Sequence, residues 1–300
     1  MGTLDGKVAI VTGAGRGIGR GHAVLLAAEG ARVVVNDLGT GMAGDGTDTS
    51  PAQQVVEEIR AAGGEAIANS DNVATWDGAE ALVASAVDTF GRLDVLVNNA
   101  GVLRDAMSFN ISEAEWDAVI DVHLKGHFAP SHHAVRHWRA RGKAGENVSG
   151  RIINTASESG LYGQAGQVNY ATAKAGIVAM TIVLAREMKK YGVTANVVCP
   201  RARTRMTSTV PGAVDLMSGP EWNPEQIAPM VGFLAGDAAA DVSGQVFVVW
   251  GTHVHVMQGW TMVGTIDRGE GRWTPAELAA RKDELFGGRS SKIPPMGFGQ

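Results

Sequence analysis

VAIVTGAGRGIG, residues 8–19, joins a short apolar run to a glycine-rich turn and decides the fold. Gly13, Gly17 and Gly19 follow residues typical of a buried strand, and a helix is predicted to begin near Ile18. Glycines permit a tight turn and let the backbone approach a pyrophosphate, whose charge the start of a helix favours. The stretch therefore predicts a strand–turn–helix unit that binds a dinucleotide, with Ile18 among the contacting residues.

Asp37 ends the second predicted strand, about 20 residues after the glycine turn, as a dinucleotide site requires. Its carboxylate can accept hydrogen bonds from a ribose 2′-hydroxyl and would repel a 2′-phosphate. Arg16 favours the opposite choice, because a guanidinium near the adenosine ribose could bind that phosphate, but Leu38 supplies no second cation. We therefore expect NAD as the cofactor, with Arg16 lining its site.

Short Val- and Ile-rich runs alternate with amphipathic helical segments along the 300 residues. The runs are KVAIVT, ARVVVN, LDVLVN, RIINTA, TANVVC and QVFVVW. Apolar strands separated by helices indicate a parallel sheet covered on both faces, and Ser112 with Glu115 predicts a capping box at one helix start. We predict an α/β, Rossmann-like doubly wound parallel sheet of about seven strands. One domain, residues 1–286, would precede a Gly/Ser/Pro-rich C-terminal extension, residues 287–300.

Composition narrows the possible partners and compartment. The formal net charge of −5 argues against a nucleic-acid surface. Cys199 is the one cysteine, so the chain has no internal disulfide, and its apolar run favours a buried strand thiol over a catalytic one. No signal-peptide pattern and no apolar run of membrane-spanning length is present. We expect a cytoplasmic protein without a membrane or nucleic-acid partner.

NYATAK, residues 169–174, places Tyr170 one helical turn before Lys174, so an ammonium could lie beside a phenol oxygen and make it more acidic. On its own this spacing fits a packed tyrosine and a solvated lysine equally well. TGAGRGIG, NNAG at residues 98–101, Ser157 and this pair follow one another in an order that resembles the short-chain dehydrogenase/reductase family.

The resemblance implies that Tyr170 takes the hydroxyl proton of an alcohol while a hydride leaves the same carbon for the nicotinamide. Lys174 and the positive nicotinamide would stabilise the phenolate, and Lys174 would also reach the nicotinamide ribose. Ser157 would hydrogen-bond the developing carbonyl oxygen. The proposed hydride transfer needs no metal.

Further cofactor contacts follow from the same resemblance. Asn99 would lie at the cofactor, although a strand-end hydrogen-bonding role is also open. Asn72 and Val73 would flank the adenine, and Thr204 would lie near the nicotinamide carboxamide. In CPRART, Arg201 stands where the family usually has glycine.

His123 marks a second departure, because many members of the family carry a catalytic asparagine where this chain reads DVHLKG. Loss of activity, a proton-relaying imidazole and a structural histidine are all open. VVVNDLG, NNAGVLRD, DVHLKGHF and YGQAGQVNY also resemble the (3R)-hydroxyacyl-CoA dehydrogenase domain of type-two peroxisomal multifunctional enzymes, a branch with His at this position. His123 is therefore kept as a catalytic candidate.

The branch implies an acyl-CoA substrate, whose phosphates need cations. The candidates are Arg104, Arg201, Arg203, Arg205 and the run RHWRARGK. Three alternatives remain open. The substrate could be a hydrophobic steroid or terpenoid alcohol, the enzyme could be an NADPH-dependent 3-oxoacyl reductase, or the protein could be a non-catalytic dinucleotide sensor.

Two further expectations concern metals and assembly. Five histidines, residues 123, 127, 132, 133 and 137, include i, i+4 pairs, but no acidic or cysteine partner completes a metal shell, so no metal is expected. The helices carrying these histidines and Tyr170 are usual subunit contacts in the family, which implies a homodimer or homotetramer.

Overall fold

A computed structural model describes residues 2–40, 46, 48, 50–204 and 217–292. The strands are β1 Val8–Thr12, β2 Arg32–Asn36, β3 Glu65–Asn69, β4 Val95–Asn98, β5 Arg151–Thr155, β6 Thr194–Pro200, β7 Val246–Trp250 and β8 His253–Val256. The α-helices are α1 Gly17–Ala28, α2 Ser50–Ala61, α3 Trp76–Phe90, α4 Glu113–Ile120, α5 Gly126–Lys143, α6 Glu158–Tyr162, α7 Val168–Met188, α8 Ala228–Ala235, α9 Pro275–Ala280 and α10 Lys282–Phe286. A π-helical turn, Asp121–Lys125, joins α4 to α5, and short 3₁₀ turns are Lys189–Tyr191, Pro220–Trp222, Pro224–Ile227 and Asp237–Ala239.

The strands form one sheet in the order β3-β2-β1-β4-β5-β6-β7-β8. Strands β1 to β7 are parallel, and β8 pairs with β7 in the antiparallel sense. The predicted Rossmann-like sheet is confirmed, with eight strands rather than about seven. Strand β8 has four exposed residues, HVHV, and therefore lacks the buried apolar run by which the other strands are recognised.

Side chains of the central strands alternate between two apolar layers. Ala9 and Val11 of β1 belong to the layer that contains Leu26 of α1. Val8 and Ile10 belong to the opposite layer, with α3, α5 and α7. This two-residue period explains why the strand is buried on both faces.

Local sequence signals also have the predicted structural effect. Ser112 and Glu115 form the expected capping box at α4: the Ser112 side chain accepts from the Glu115 backbone, and the Glu115 carboxylate accepts from the Ser112 backbone. Cys199 is a free, buried thiol in β6, and burial raises its pKa to about 12. The interpretation of Cys199 as a strand thiol is confirmed.

By length and composition alone, the described stretch Val168–Tyr191 could cross a membrane. Its Ala173, Ile177 and Leu184 are buried, and the helix packs on β6. Its apolar composition is therefore explained by its place in the fold.

The chain divides into two compact units, residues 1–257 and 258–300. The first contains the entire sheet. In the second, Thr274 and Glu277 form a capping box at α9, and the Arg281 guanidinium lies 5.2 Å from the Trp273 ring centre. The boundary predicted between residues 286 and 287 lies inside the second unit and stays a prediction.

Candidate active site

A cleft of about 440 Å³ opens at the carboxyl ends of the parallel strands, where the strand order reverses between β1 and β4. Its lining includes every residue that the sequence placed at the cofactor or reaction site: Gly13, Arg16, Gly17, Ile18, Gly19, Asp37, Asn72, Val73, Asn99, His123, Ser157, Tyr170, Lys174 and Thr204. The fold thus brings the predicted set together, while the role of each residue stays a prediction.

The glycine turn after β1, residues 13–19, forms a concave stretch of backbone, which we call the glycine cradle. Gly13 and Gly17 have φ angles of 63° and 55°, in the left-handed region that favours glycine. A Cβ on Gly19 would lie 2.1 Å from the Gly13 carbonyl oxygen, and one on Gly13 would lie 2.8 Å from the Ala100 Cα. Because α1 begins at this turn, the cradle suits the pyrophosphate of a dinucleotide.

Asp37 lies beside the glycine turn and is held by two backbone amides. Its Oδ2 accepts from the Gly15 amide at 2.8 Å, and its Oδ1 accepts from the Gly39 amide at 2.7 Å. Arg16 lies 3.9 Å from the carboxylate of Asp48. The Asp37 carboxylate is therefore held in place by two amides, and the Arg16 guanidinium lies close to the Asp48 carboxylate.

Asn99 has the strand-end role that was left open, and it also lines the cleft. Its Nδ2 donates to the carbonyl oxygens of Thr12 and Gly13 at 3.0 and 3.2 Å. The Thr12 hydroxyl accepts from the Asn99 and Ala100 amides. Asn99 therefore fixes the end of β4 to the glycine turn.

In the loop after β3, Asn72 accepts from the Ala74 amide at 3.0 Å, and Val73 is buried beside it. These contacts hold the short loop after β3 against the cleft. Thr204 lines the cleft from the segment that follows β6.

Tyr170 and Lys174 lie on one face of α7, next to Ser157 at the end of β5. The Lys174 Nζ donates to the Thr155 carbonyl oxygen at 2.6 Å and lies 5.5 Å from the Tyr170 ring centre. Burial raises the pKa of Tyr170 to about 12, an effect that its hydrogen bond with Ser157 opposes. Burial also lowers the pKa of Lys174 to about 7. In the protein alone, desolvation therefore outweighs the acidifying effect that the spacing predicted for the phenol.

His123 lies in the π-helical turn, with its ring edge-on to Tyr170 at a centroid distance of 5.1 Å. Its Nε2 is 2.7 Å from the Val102 carbonyl oxygen and 3.1 Å from the Val102 amide nitrogen. Burial, followed by the charge of Lys174, holds the pKa of His123 well below its usual value. A Cβ on Gly101 would lie 2.4 Å from the His123 Cε1, so this glycine makes room for the ring. The neutral imidazole is therefore both anchored in the structure and in contact with Tyr170.

Two supporting residues were missed in the sequence. Asn169 accepts from the Tyr170 amide at 2.7 Å and donates to the Arg104 carbonyl oxygen at 2.9 Å. Gln167 accepts from the Ser159 hydroxyl and donates to Asp105, both at 2.7 Å. Both are buried polar residues just before Tyr170, and that position is the only signal the sequence offers.

The candidate cations for a CoA phosphate have different surroundings. Arg201 forms a two-point ion pair with Glu158, and Arg203 donates to the Met217 and Ser218 carbonyl oxygens. Arg104 is partly exposed and lies two residues after Val102, which lines the cleft, whereas Arg205 lies outside the described residues.

Among the described residues, no group of three or more His, Cys, Asp and Glu side chains could hold a metal ion. His132 and His133 instead lie against the Trp76 ring, at centroid distances of 4.6 and 5.2 Å.

Known proteins share this sequence and fold over most of the chain. The short chain dehydrogenase family model matches residues 7–212. Hydroxyacyl-CoA dehydrogenase ChsB1 of Mycobacterium tuberculosis is 46% identical over 295 residues, which cover 95% of this chain and 90% of that protein. Peroxisomal multifunctional enzyme type 2 of Drosophila melanogaster is 43% identical over 257 residues, which cover 85% of this chain but 41% of that longer protein.

A crystal structure of a short chain dehydrogenase from Mycobacterium avium matches with a TM-score of 0.89 and 54% identity, covering 99% of this chain and 100% of that one. The resemblance found in the sequence is thereby confirmed. The chain belongs to the short-chain dehydrogenase family and is an oxidoreductase that acts on a CH–OH group with a nicotinamide dinucleotide, NAD or NADP.

Proposed function

We propose that the protein oxidises a hydrophobic secondary alcohol with NAD, and that its substrate is 3-hydroxyacyl-CoA-like. One observation carries the proposal: Ser157, Tyr170 and Lys174 line the same cleft as the glycine cradle and Asp37. Proton-transfer groups and a pyrophosphate cradle in one cleft are what a coupled proton and hydride transfer requires.

Tyr170 is the acid/base in this proposal. As a phenolate it accepts the hydroxyl proton of the alcohol, while the hydroxyl of Ser157 donates to the developing carbonyl oxygen. A bound dinucleotide supplies the nicotinamide that accepts the hydride and adds a positive charge. The Lys174 ammonium, held on the Thr155 carbonyl, lowers the free energy of the phenolate by its charge. His123, neutral and edge-on to the phenol, limits how far the Tyr170 ring can turn.

Asp37 supports NAD as the cofactor. Both its oxygens are fixed by the Gly15 and Gly39 amides, so the negative charge stays where a 2′-phosphate would lie. Arg16 would have to leave the Asp48 carboxylate to bind that phosphate.

The names of two relatives support the substrate class. One is a hydroxyacyl-CoA dehydrogenase, and the other is a peroxisomal multifunctional enzyme type 2. Arg104 is the cation we propose for a CoA phosphate, because it is partly exposed and follows Val102 of the cleft lining by two residues, whereas Arg201 and Arg203 make contacts within the fold. The buried, reduced Cys199 supports a cytoplasmic location.

Turnover with a matched pair of tyrosine variants tests the proposal. NADH formation from NAD is measured with (3R)-hydroxyacyl-CoAs of several lengths and with steroid and terpenoid alcohols. We expect turnover of the CoA esters and a fall of about 100- to 10,000-fold in Tyr170→Phe. Tyr191→Phe, which removes a hydroxyl outside the cleft, serves as the control and keeps wild-type activity.

Other results would each reject a defined part of the proposal. Turnover of the free alcohols alone rejects the CoA substrate. Tighter binding of NADPH than of NADH rejects the cofactor and favours a reductase. Binding of NAD without turnover of any alcohol favours a dinucleotide sensor.

A further inference from the structure

Glu158 and Arg201 connect the two backbone segments that enclose the reaction site. Glu158 directly follows Ser157 and begins α6. Arg201 directly follows β6 and lies between Pro200 and Ala202, both of which line the cleft. The pair therefore spans two walls of one cleft, far apart in sequence.

The contact between these side chains is a buried two-point ion pair. The Arg201 Nε donates to the Glu158 Oε2 at 2.5 Å, and the Nη2 donates to the Oε1 at 2.7 Å. Only 13% of the Arg201 side chain and 10% of the Glu158 side chain are exposed. A fork-to-fork contact fixes both distance and orientation, and burial protects it from salt.

Aromatic rings also lie close to the Arg201 guanidinium. The Arg201 guanidinium lies 5.8 Å from the Trp250 ring centre, and Trp250 stacks on Trp222 at 5.1 Å with an interplanar angle of 15°. The Trp222 carbonyl oxygen accepts from the Arg203 amide at 2.7 Å. The segment from Pro200 to Thr204 is therefore anchored on both sides of Arg201.

We propose that Glu158 and Arg201 are positioning residues that couple the backbone of Ser157 to the segment Pro200–Thr204. The coupling fixes the separation of the two walls between which the alcohol and the dinucleotide must meet. Its kinetic consequence rests on the proposed function, whereas the coupling is a property of the protein alone.

Hydrogen exchange of the protein without ligand tests the coupling directly. We expect Glu158→Gln and Arg201→Met each to accelerate amide exchange in both residues 155–160 and residues 201–204. Arg92→Met is the matched control, because Arg92 makes a two-point ion pair with the buried Asp94 at the opposite end of the sheet. It should accelerate exchange in neither segment. Faster exchange in the mutated segment alone, or in neither, would overturn the inference.

A double variant guards against misfolding by an unpaired buried charge. Glu158→Gln with Arg201→Met removes both charges, so it should fold even where a single variant does not. It should still show faster exchange in both segments. Arg201→Lys keeps the charge but loses the fork, and we expect an intermediate effect.

Kinetics separate a positioning role from a general loss of stability. In the single variants we expect kcat to fall roughly 10- to 100-fold, as for a small misplacement of reacting groups. The dissociation constant for NADH should change much less than kcat, because the glycine cradle and Asp37 lie outside the two coupled segments, although Thr204 lies within one of them. If both kcat and amide exchange are unchanged in the single variants, the inference is overturned. If the wild-type protein turns over no alcohol, only the proposed function is rejected.

Discussion

Lys174 is a cation buried in the cleft, with its ammonium donating to a single identified carbonyl oxygen, that of Thr155. Burial lowers its pKa to about 7 from the value near 10.4 of an unfolded chain. Between these pH values the unfolded chain binds more protons than the folded protein. The free energy of unfolding therefore rises with pH on account of this residue.

We predict that the stability of the wild type relative to Lys174→Met increases between pH 7 and pH 9. The gain should be at most about 1.4 kcal/mol per pH unit, which is the limit for one titrating group. Urea denaturation of both proteins at the two pH values measures it. Lys189→Met, at an exposed position, is the control and should show a constant difference. A constant difference for Lys174→Met as well would mean that its pKa is not lowered.

Much of the cleft could be predicted at the level of single residues, because its chemistry is encoded at short spacing. The glycines lie in one turn, and Tyr170 and Lys174 lie one helical turn apart. The partners of His123 and Arg201 could not be predicted. His123 contacts Val102, 21 residues away, and Arg201 contacts Glu158, 43 residues away. Such pairs depend on the folded topology, which residue spacing alone does not specify.

At the scale of secondary structure, local signals predicted helix starts better than helix interruptions. The Ser112 capping box could be predicted from the sequence, because two side chains satisfy two backbone donors within one turn. The π-helical turn Asp121–Lys125 could not, because residues on both sides of it are helical and none of its five residues is Pro or Gly. This turn carries His123, so the orientation of its imidazole could not be predicted from the sequence either.

The capping box gives a stability prediction for α4. Ser112→Ala removes the side chain that accepts from the Glu115 amide at 3.3 Å and donates to its carboxylate at 2.7 Å. We expect the free energy of unfolding to fall by about 1 kcal/mol. Ser70→Ala, at an exposed position after β3, is the comparison and should change it little. Equal effects of the two substitutions in chemical denaturation would contradict the capping role.

At the scale of the molecule, exposed apolar side chains on two helices support the expected self-association. Phe128 of α5 is 41% exposed and Val183 of α7 is 51% exposed. Exposed apolar side chains mark a contact surface where they are contiguous, and the Phe128 ring lies 6.0 Å from the ring of Trp76, which is also 41% exposed. Both helices are those expected to form subunit contacts.

We predict that the wild-type protein is a homodimer or homotetramer, and that Val183→Glu lowers its mass in solution. Burying an unpaired carboxylate in a subunit contact is unfavourable, so the assembly should dissociate at concentrations where the wild type stays intact. Light scattering coupled to size-exclusion chromatography measures the mass. Phe109→Glu, which adds the same charge at a 77% exposed residue that belongs to neither helix, should keep the wild-type mass. A monomeric wild type would contradict the expectation.

Because Cys199 is buried, the reactivity of its thiol reports how often the surrounding structure opens. The thiol is 1% exposed in β6, which lies between β5 and β7. A reagent that modifies free thiols therefore reaches Cys199 only when the apolar cluster that covers it, which includes Ile177 of α7, opens, and its rate of reaction reports how often this happens. A dinucleotide that binds the closed form must slow the labelling in proportion to its occupancy. Cofactor affinity can thus be read from a single natural sulfur atom, without an added probe and without catalysis.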